Sequence, residues 1–176
     1  MSQPPLIASI LNHYRGDLKT DYTKYYNHCC RVYLLATQLY SFNEIEEEQI
    51  AIAAAFHDLG IWSHHTFDYL NPSCQLATLY LEKKQKSDWI EPVTLMIDNH
   101  HKLRPYTQLH RHLVEAFRKA DLIDLSYGLI KFNVPTLYFK KLYQSYPPVG
   151  FHRKIGGLIV KNIIIRPFNP LPIVKW

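Results

Sequence analysis

The segment Ile50-Ala-Ile-Ala-Ala-Ala-Phe-His57-Asp58-Leu-Gly60 constrains the fold more than any other stretch of this 176-residue chain. Ile50, Ala53, Ala54 and His57 recur at the spacing of one helical face, so the run reads as a helix buried along that face. Ser41-Phe-Asn-Glu44 and Asn43-Glu-Ile-Glu46 both fit a capping box that would open it, and Gly60 is expected to close it. Two side chains able to bind metal therefore stand together at a helix C-terminus, on the inward side.

The remaining chain also reads as helical. A short helix is predicted from about Pro5 to Tyr14, and another over Asp21 to Tyr40, where His28, Val32, Leu35, Ala36 and Leu39 form one face. Asn71-Pro72 looks like an N-cap followed by a first-turn proline. Asp88-Trp-Ile-Glu91 fits a capping box for a helix through Val93, Met96 and Ile97 to His100. From about His110 to Tyr127, Leu113, Phe117, Asp121 and Asp124 share a face. Helices are also expected over Thr136 to Ser145 and His152 to Ile165, with β-branched Ile163-Ile164-Ile165 allowing a strand. The Pro-Phe-Asn-Pro-Leu-Pro run near the end reads as extended. The expected architecture is an all-α helical bundle in one domain, with a core of about residues 20–130 and a helical extension over about 131–176.

Composition narrows the setting. A hydrophobic content of 47% suits a folded core. No apolar run approaches the roughly 20 residues that span a bilayer, and Met-Ser-Gln-Pro-Pro lacks signal-peptide character, so a cytoplasmic protein without a membrane partner is expected. Cys29, Cys30 and Cys74 show no Cys-x-x-Cys spacing and read as reduced thiols. A net charge of +5 favours an anionic partner without choosing among nucleotide, phosphate ester and nucleic acid. Lys83, Lys84 and Lys86 read as a solvated helix end beside Glu82, with a track for a phosphate backbone as the alternative.

Polar residues on apolar faces carry the functional signal. His28 and Asp121 each interrupt such a face on a separate helix, and an unpaired buried carboxylate is costly unless a cation offsets its desolvation. With His57 and Asp58 they form a four-ligand set of imidazole nitrogen and carboxylate oxygen, a mix that divalent first-row metals accept. Asp124 lies one turn beyond Asp121, where it could support a ligand or position a substrate. Asp98-Asn-His100-His101-Lys102 places two imidazoles and an ammonium at another helix end, which can also be read as a basic C-terminus matched to the helix dipole. His64 and His65 fall in a loop after Gly60, and Trp62, Tyr69 and Tyr106 offer rings that could stack on a base.

The order His28, His57-Asp58, Asp121 resembles the HD-domain superfamily of metal-dependent phosphohydrolases over roughly residues 20–130. The resemblance implies an HD-domain bundle in which His28, His57, Asp58 and Asp121 bind one divalent ion (Mn, Fe, Mg, Co, Ni or Zn). It implies a nucleotide or other small phosphate ester as substrate, attacked by metal-activated water, with Asp58 and His100 as catalytic residues. His101, Lys102, Arg104, His64 and Asp124 are the expected substrate contacts. In two-metal members such as the HD-domain diadenosine tetraphosphate hydrolases, a histidine about twenty positions before the last aspartate belongs to the site, and His100 matches it. An additional histidine expected near Pro72, Ser73 and Cys74 is absent, which favours one ion, with His64, His65 and His101 as the replacements if the loop folds inward. The 5′-deoxynucleotidase branch carries a glutamate where this chain has Trp62, so that catalytic acid does not transfer. The motifs of guanosine-tetraphosphate hydrolases and of HD-GYP cyclic-dinucleotide enzymes are also absent.

Two alternatives stay open. HD-like scaffolds also resemble hydratases and oxygenases acting on non-phosphate substrates. A metal-clamped module that binds nucleic acid through its basic surface is the non-enzymatic reading.

Overall fold

The computed structural model describes residues 4–166, 168 and 172–174, and these form an all-α fold. In chain order its helices are α1 (Pro5–Asn12), α2 (Arg15–Leu18), α3 (Tyr22–Leu39), α4 (Glu44–Phe56), α5 (Gly60–Ser63) and α6 (Leu70–Lys83). They continue with α7 (Ile90–Asn99), α8 (Arg111–Leu125), α9 (Thr136–Ser145) and α10 (Phe151–Ile165). Most of the Pro-Phe-Asn-Pro-Leu-Pro run lies outside the described residues.

The central helix is α4. Every residue from Gln49 to Phe56 is buried, because an alanine-rich helix lets neighbours approach on all sides. It packs against α1, α3, α6 and α7 and also meets α8. Four of these helices close a ring, α3 on α4, α4 on α7, α7 on α8 and α8 back on α3. The functional candidates come from this ring. Asn43 caps α4 in a full capping box: its side chain accepts from the Glu46 N–H, and the Glu46 carboxylate accepts from the Asn43 N–H.

Three local expectations are corrected. Gly60 does not close α4. The helix ends at Phe56 and the chain turns directly into α5, where Gly60 is required for space, since a Cβ there would sit 2.7 Å from the Tyr69 carbonyl oxygen. The capping box proposed at Asp88–Glu91 does not form, because Ser87–Trp89 is wound into a 3-10 turn and α7 starts after it without a side-chain cap. Asn71 is not an N-cap either: α6 begins at Leu70, which leaves Pro72 in the first turn where its missing N–H costs nothing.

Ile163–Ile165 are helical, extending α10. Lys83 and Lys84 are exposed as expected, while Lys86 pairs with Glu48 and lies 3.8 Å from the centre of the Trp89 ring. Cys29 and Cys30 are buried and Cys74 is half-buried. No described helix is long and apolar enough to cross a membrane.

Candidate metal centre

Each helix of the central ring delivers polar groups to one point. His28 comes from the middle of α3, His57 and Asp58 from the end of α4, His100 and His101 from the end of α7, and Asp121 from the inward face of α8. All are 3% exposed or less except His101, whose side chain is 14% exposed. The cluster therefore opens toward solvent on the His101 side.

Hydrogen bonds fix the histidine tautomers. His57 Nδ1 lies 2.8 Å from the Ala54 carbonyl, and His100 Nδ1 lies 2.6 Å from the Ile97 carbonyl. His28 Nδ1 is 2.7 Å from Asp124 Oδ2. A carbonyl and an ionised carboxylate only accept, so each Nδ1 must donate, and each neutral ring then turns a lone pair on Nε2 into the cluster.

The geometry around those lone pairs suits a cation. His28 Nε2 is 2.9 Å from His57 Nε2, 3.6 Å from Asp58 Oδ2 and 3.5 Å from Asp121 Oδ1. His57 Nε2 is 3.5 Å from Asp58 Oδ2 and 3.9 Å from Asp121 Oδ1. Ligand atoms about 2.1 Å from one ion sit roughly 3.0–3.4 Å apart, so this foursome is close to a coordination sphere. The outer oxygens point elsewhere: Asp58 Oδ1 is 3.4 Å from His100 Nε2, and Asp121 Oδ2 is 3.5 Å from His101 Nδ1. His28, His57 and Asp121, His57, Asp58 and His100, and His100, His101 and Asp121 each form a group that could hold a metal ion.

Among the described residues, the buried side-chain atoms without a hydrogen-bond partner are Asp58 Oδ1, His100 Nε2, both oxygens of Asp121, and His152 Nδ1. Four of the five face this one point. Native interiors satisfy nearly all such groups, so the donor set fits a bound divalent cation.

The clustered groups also act strongly on one another's charge. Burial, with the Asp58 and Asp124 charges adding to it, pushes the Asp121 carboxyl up to about 7 against the opposing pull of His100 and His28. Burial also drives His57 down to about 3, helped by its cationic neighbours. His28 goes the other way: burial opposes its charge, but the Asp124 and Asp58 carboxylates outweigh that and raise it to about 9. Asp58 is held well below the usual carboxylate range because the surrounding imidazoles overcome its burial.

A second layer holds the first. Asp124 is fully buried and receives His28 Nδ1, Arg31 Nε at 2.6 Å, Arg31 Nη2 at 2.8 Å and the Tyr143 hydroxyl at 2.6 Å. Its expected role as a substrate contact is therefore corrected: saturated and sealed, it can only position His28. The Phe151 ring of α10 stacks on His28 at 4.0 Å, and His152 Nε2 is 2.8 Å from the Asp124 carbonyl. Residues beyond 131 thus complete the surroundings of the site. The Tyr25 hydroxyl accepts from the Asp58 N–H and donates to the Ala55 carbonyl, which pins the end of α4. The Tyr69 hydroxyl lies 2.8 Å from His101 Nε2.

The other expected contacts are spread out. His64 is exposed, and its Nδ1 lies 2.9 Å from the neighbouring Ser63 hydroxyl; no described contact ties it to the cluster. His65 is exposed as well. Lys102 is half-buried and Arg104 exposed, in the loop between α7 and α8. That loop is held by the buried Glu115–Arg118 pair, with Glu115 accepting from the Tyr106 N–H and Arg118 donating to the Lys102 carbonyl. The proposed stacking rings are not free surfaces: Trp62, Tyr69 and Tyr106 are each 6% exposed or less.

Sequence reasoning missed Arg31, Tyr143, His152 and Tyr25. Arg31 had a signal, because it lies one turn after His28 on the same buried face. The others had none, since aromatic residues are frequent in this chain and their partners are remote in sequence. Comparison with family models, curated proteins and solved structures gives no match to this chain.

Proposed function

We propose that this chain is a metal-dependent phosphohydrolase of the HD-domain type, acting on a nucleotide or other small phosphate ester. The observation that carries the reading is the convergence of unpartnered Asp58 and Asp121 oxygens with the Nε2 atoms of His28, His57 and His100 at one buried point. His28, His57, Asp58 and Asp121 would hold the first divalent ion. Such an ion supplies Lewis acidity toward a phosphoryl oxygen and lowers the pKa of a water. The chain's own groups do the rest. The carbonyls of Ala54 and Ile97 and the Asp124 carboxylate keep three imidazoles in the ligating tautomer, and burial excludes competing water from all but the His101 side. Lys102 and Arg104 follow that open side and can attract a phosphate.

We also propose two ion positions in place of the one expected from the sequence. The second oxygens of Asp58 and Asp121 face His100 and His101, so His101 takes the place of the histidine missing near Cys74. His100 then acts as a ligand through Nε2, since its Nδ1 is committed to the Ile97 carbonyl.

The test is phosphate release by manganese-loaded protein from nucleoside phosphates and bis(p-nitrophenyl) phosphate. Turnover should disappear on chelation and in Asp58→Ala. Turnover that survives both refutes the proposal. Hydration or oxidation of a non-phosphate substrate by loaded protein inert toward every phosphate ester would establish the hydratase or oxygenase alternative. Salt-dependent nucleic-acid binding indifferent to chelation, again without turnover, would establish the binding module.

A further inference from the structure

A cavity of about 390 Å³ lies beside the cluster, between α5 with its following loop and one face of α10. That is the scale of small-molecule sites. Trp62 and Phe67 line it from one side, and Leu158 and Ile165 from the other. Lys154 and Lys161 share the α10 face with those apolar residues, and Arg166 follows at its end. Among the described lining residues there are three full cations and no carboxylate.

The cavity is separate from the candidate metal centre. The Trp62 ring packs on Tyr25 at 4.7 Å, and Tyr25 in turn lies 6.0 Å from the His57 ring and 6.4 Å from His28. These two rings stand between the cavity and the histidines. Trp62 is fixed in this position because its Nε1 donates to Asp21 at 3.1 Å, and Lys154 reaches the same carboxylate at 3.0 Å. Arg166 is the C-cap residue of α10, where a cation suits the helix dipole, whereas Lys161 lies before the last turn and has no such reason to be there.

We propose that this cavity is a second ligand site, for an amphiphilic organic anion. Its apolar body would lie among Trp62, Phe67 and Leu158, with its phosphate, sulfonate or carboxylate against Lys161 and Arg166. An anion without the body would be only weakly attracted to such exposed cations, and the body without the charge would leave them uncompensated.

The experiment is calorimetric titration of the full chain with three probes: naphthalene-2-sulfonate, naphthalene-2-methanol for the body alone, and inorganic sulfate for the charge alone. Saturable binding is expected for the sulfonate only. The double variant Lys161→Glu, Arg166→Glu should weaken it by roughly tenfold or more. Leu158→Trp should block it by filling the space, and Asp58→Ala should leave it unchanged. Sulfate binding as tight as the sulfonate, indifference to both cavity variants, or loss of binding in Asp58→Ala would each overturn the proposal, the last by placing the probe at the metal cluster. An absence of saturable heat with all three probes would overturn it as well.

Discussion

His28 Nδ1 donates to Asp124 Oδ2 across 2.7 Å, joining α3 to α8 over 96 positions of sequence. The bond does two things at once. It turns the His28 lone pair toward Asp58 and Asp121, and it occupies one oxygen of the carboxylate that neutralises the buried Arg31 guanidinium. Asp124→Asn should therefore weaken manganese binding by about 10- to 100-fold. It should also cost about 3–5 kcal/mol in urea unfolding, because Arg31 is left as an uncompensated buried charge. Unchanged metal affinity would show that His28 is not oriented by Asp124.

Manganese titration tests the two-position reading. The intact chain should saturate at two equivalents, and the double variant His100→Ala, His101→Ala at one, retained by His28, His57, Asp58 and Asp121. A single equivalent in the intact chain, unaltered in the double variant, would restore the one-ion site and free His100 for acid catalysis.

Asp121 is expected to stabilise a metal-bound protein at the expense of the metal-free one. Both its oxygens are buried without hydrogen-bond partners, and burial raises its carboxyl to about 7. In chelator above about pH 7, Asp121→Asn should raise unfolding stability, because it removes a buried charge without breaking a hydrogen bond, while the same substitution removes tight metal binding. Denaturation curves with and without manganese check both halves, and a variant less stable in chelator would contradict the first.

Asp21 supplies a pH dependence away from the cluster. Despite the opposing effect of burial, hydrogen bonds from Lys24, Trp62 and Lys154 lower its carboxyl to about 2. A carboxyl depressed on folding adds stability above its unfolded pKa near 4 and loses it as pH falls through the folded value. Asp21→Asn should thus be less stable than the parent by about 1–2 kcal/mol at pH 6, with the gap closing between about pH 4 and pH 2. Parallel acid titrations of the two proteins would show this, and a gap independent of pH would refute it.

The all-α class and the helix positions could be read from the sequence because apolar spacing is a local property. α3, α8 and α9 lie within a residue or two of where the periodicity places them. His28, His57, Asp58 and Asp121 were legible for the same reason: a polar side chain on an apolar helix face must point inward, and something there must offset its burial. Gly60 shows where local reading stops. As a residue type it suggests a helix end, yet its role comes from the Tyr69 carbonyl, which only packing brings near.

The tertiary structure decided the rest. Which oxygen of Asp58 meets His28 and which meets His100 depends on how α3, α4, α7 and α8 close their ring, and no spacing within one helix encodes that. The same closure sealed Asp124 behind Arg31 and Tyr143 and left His64 outside. It also set the cationic face of α10 across from Trp62. One-dimensional periodicity determines which way a side chain points, whereas burial, tautomer and the partner at the far end of a hydrogen bond are fixed only when distant helices pack together.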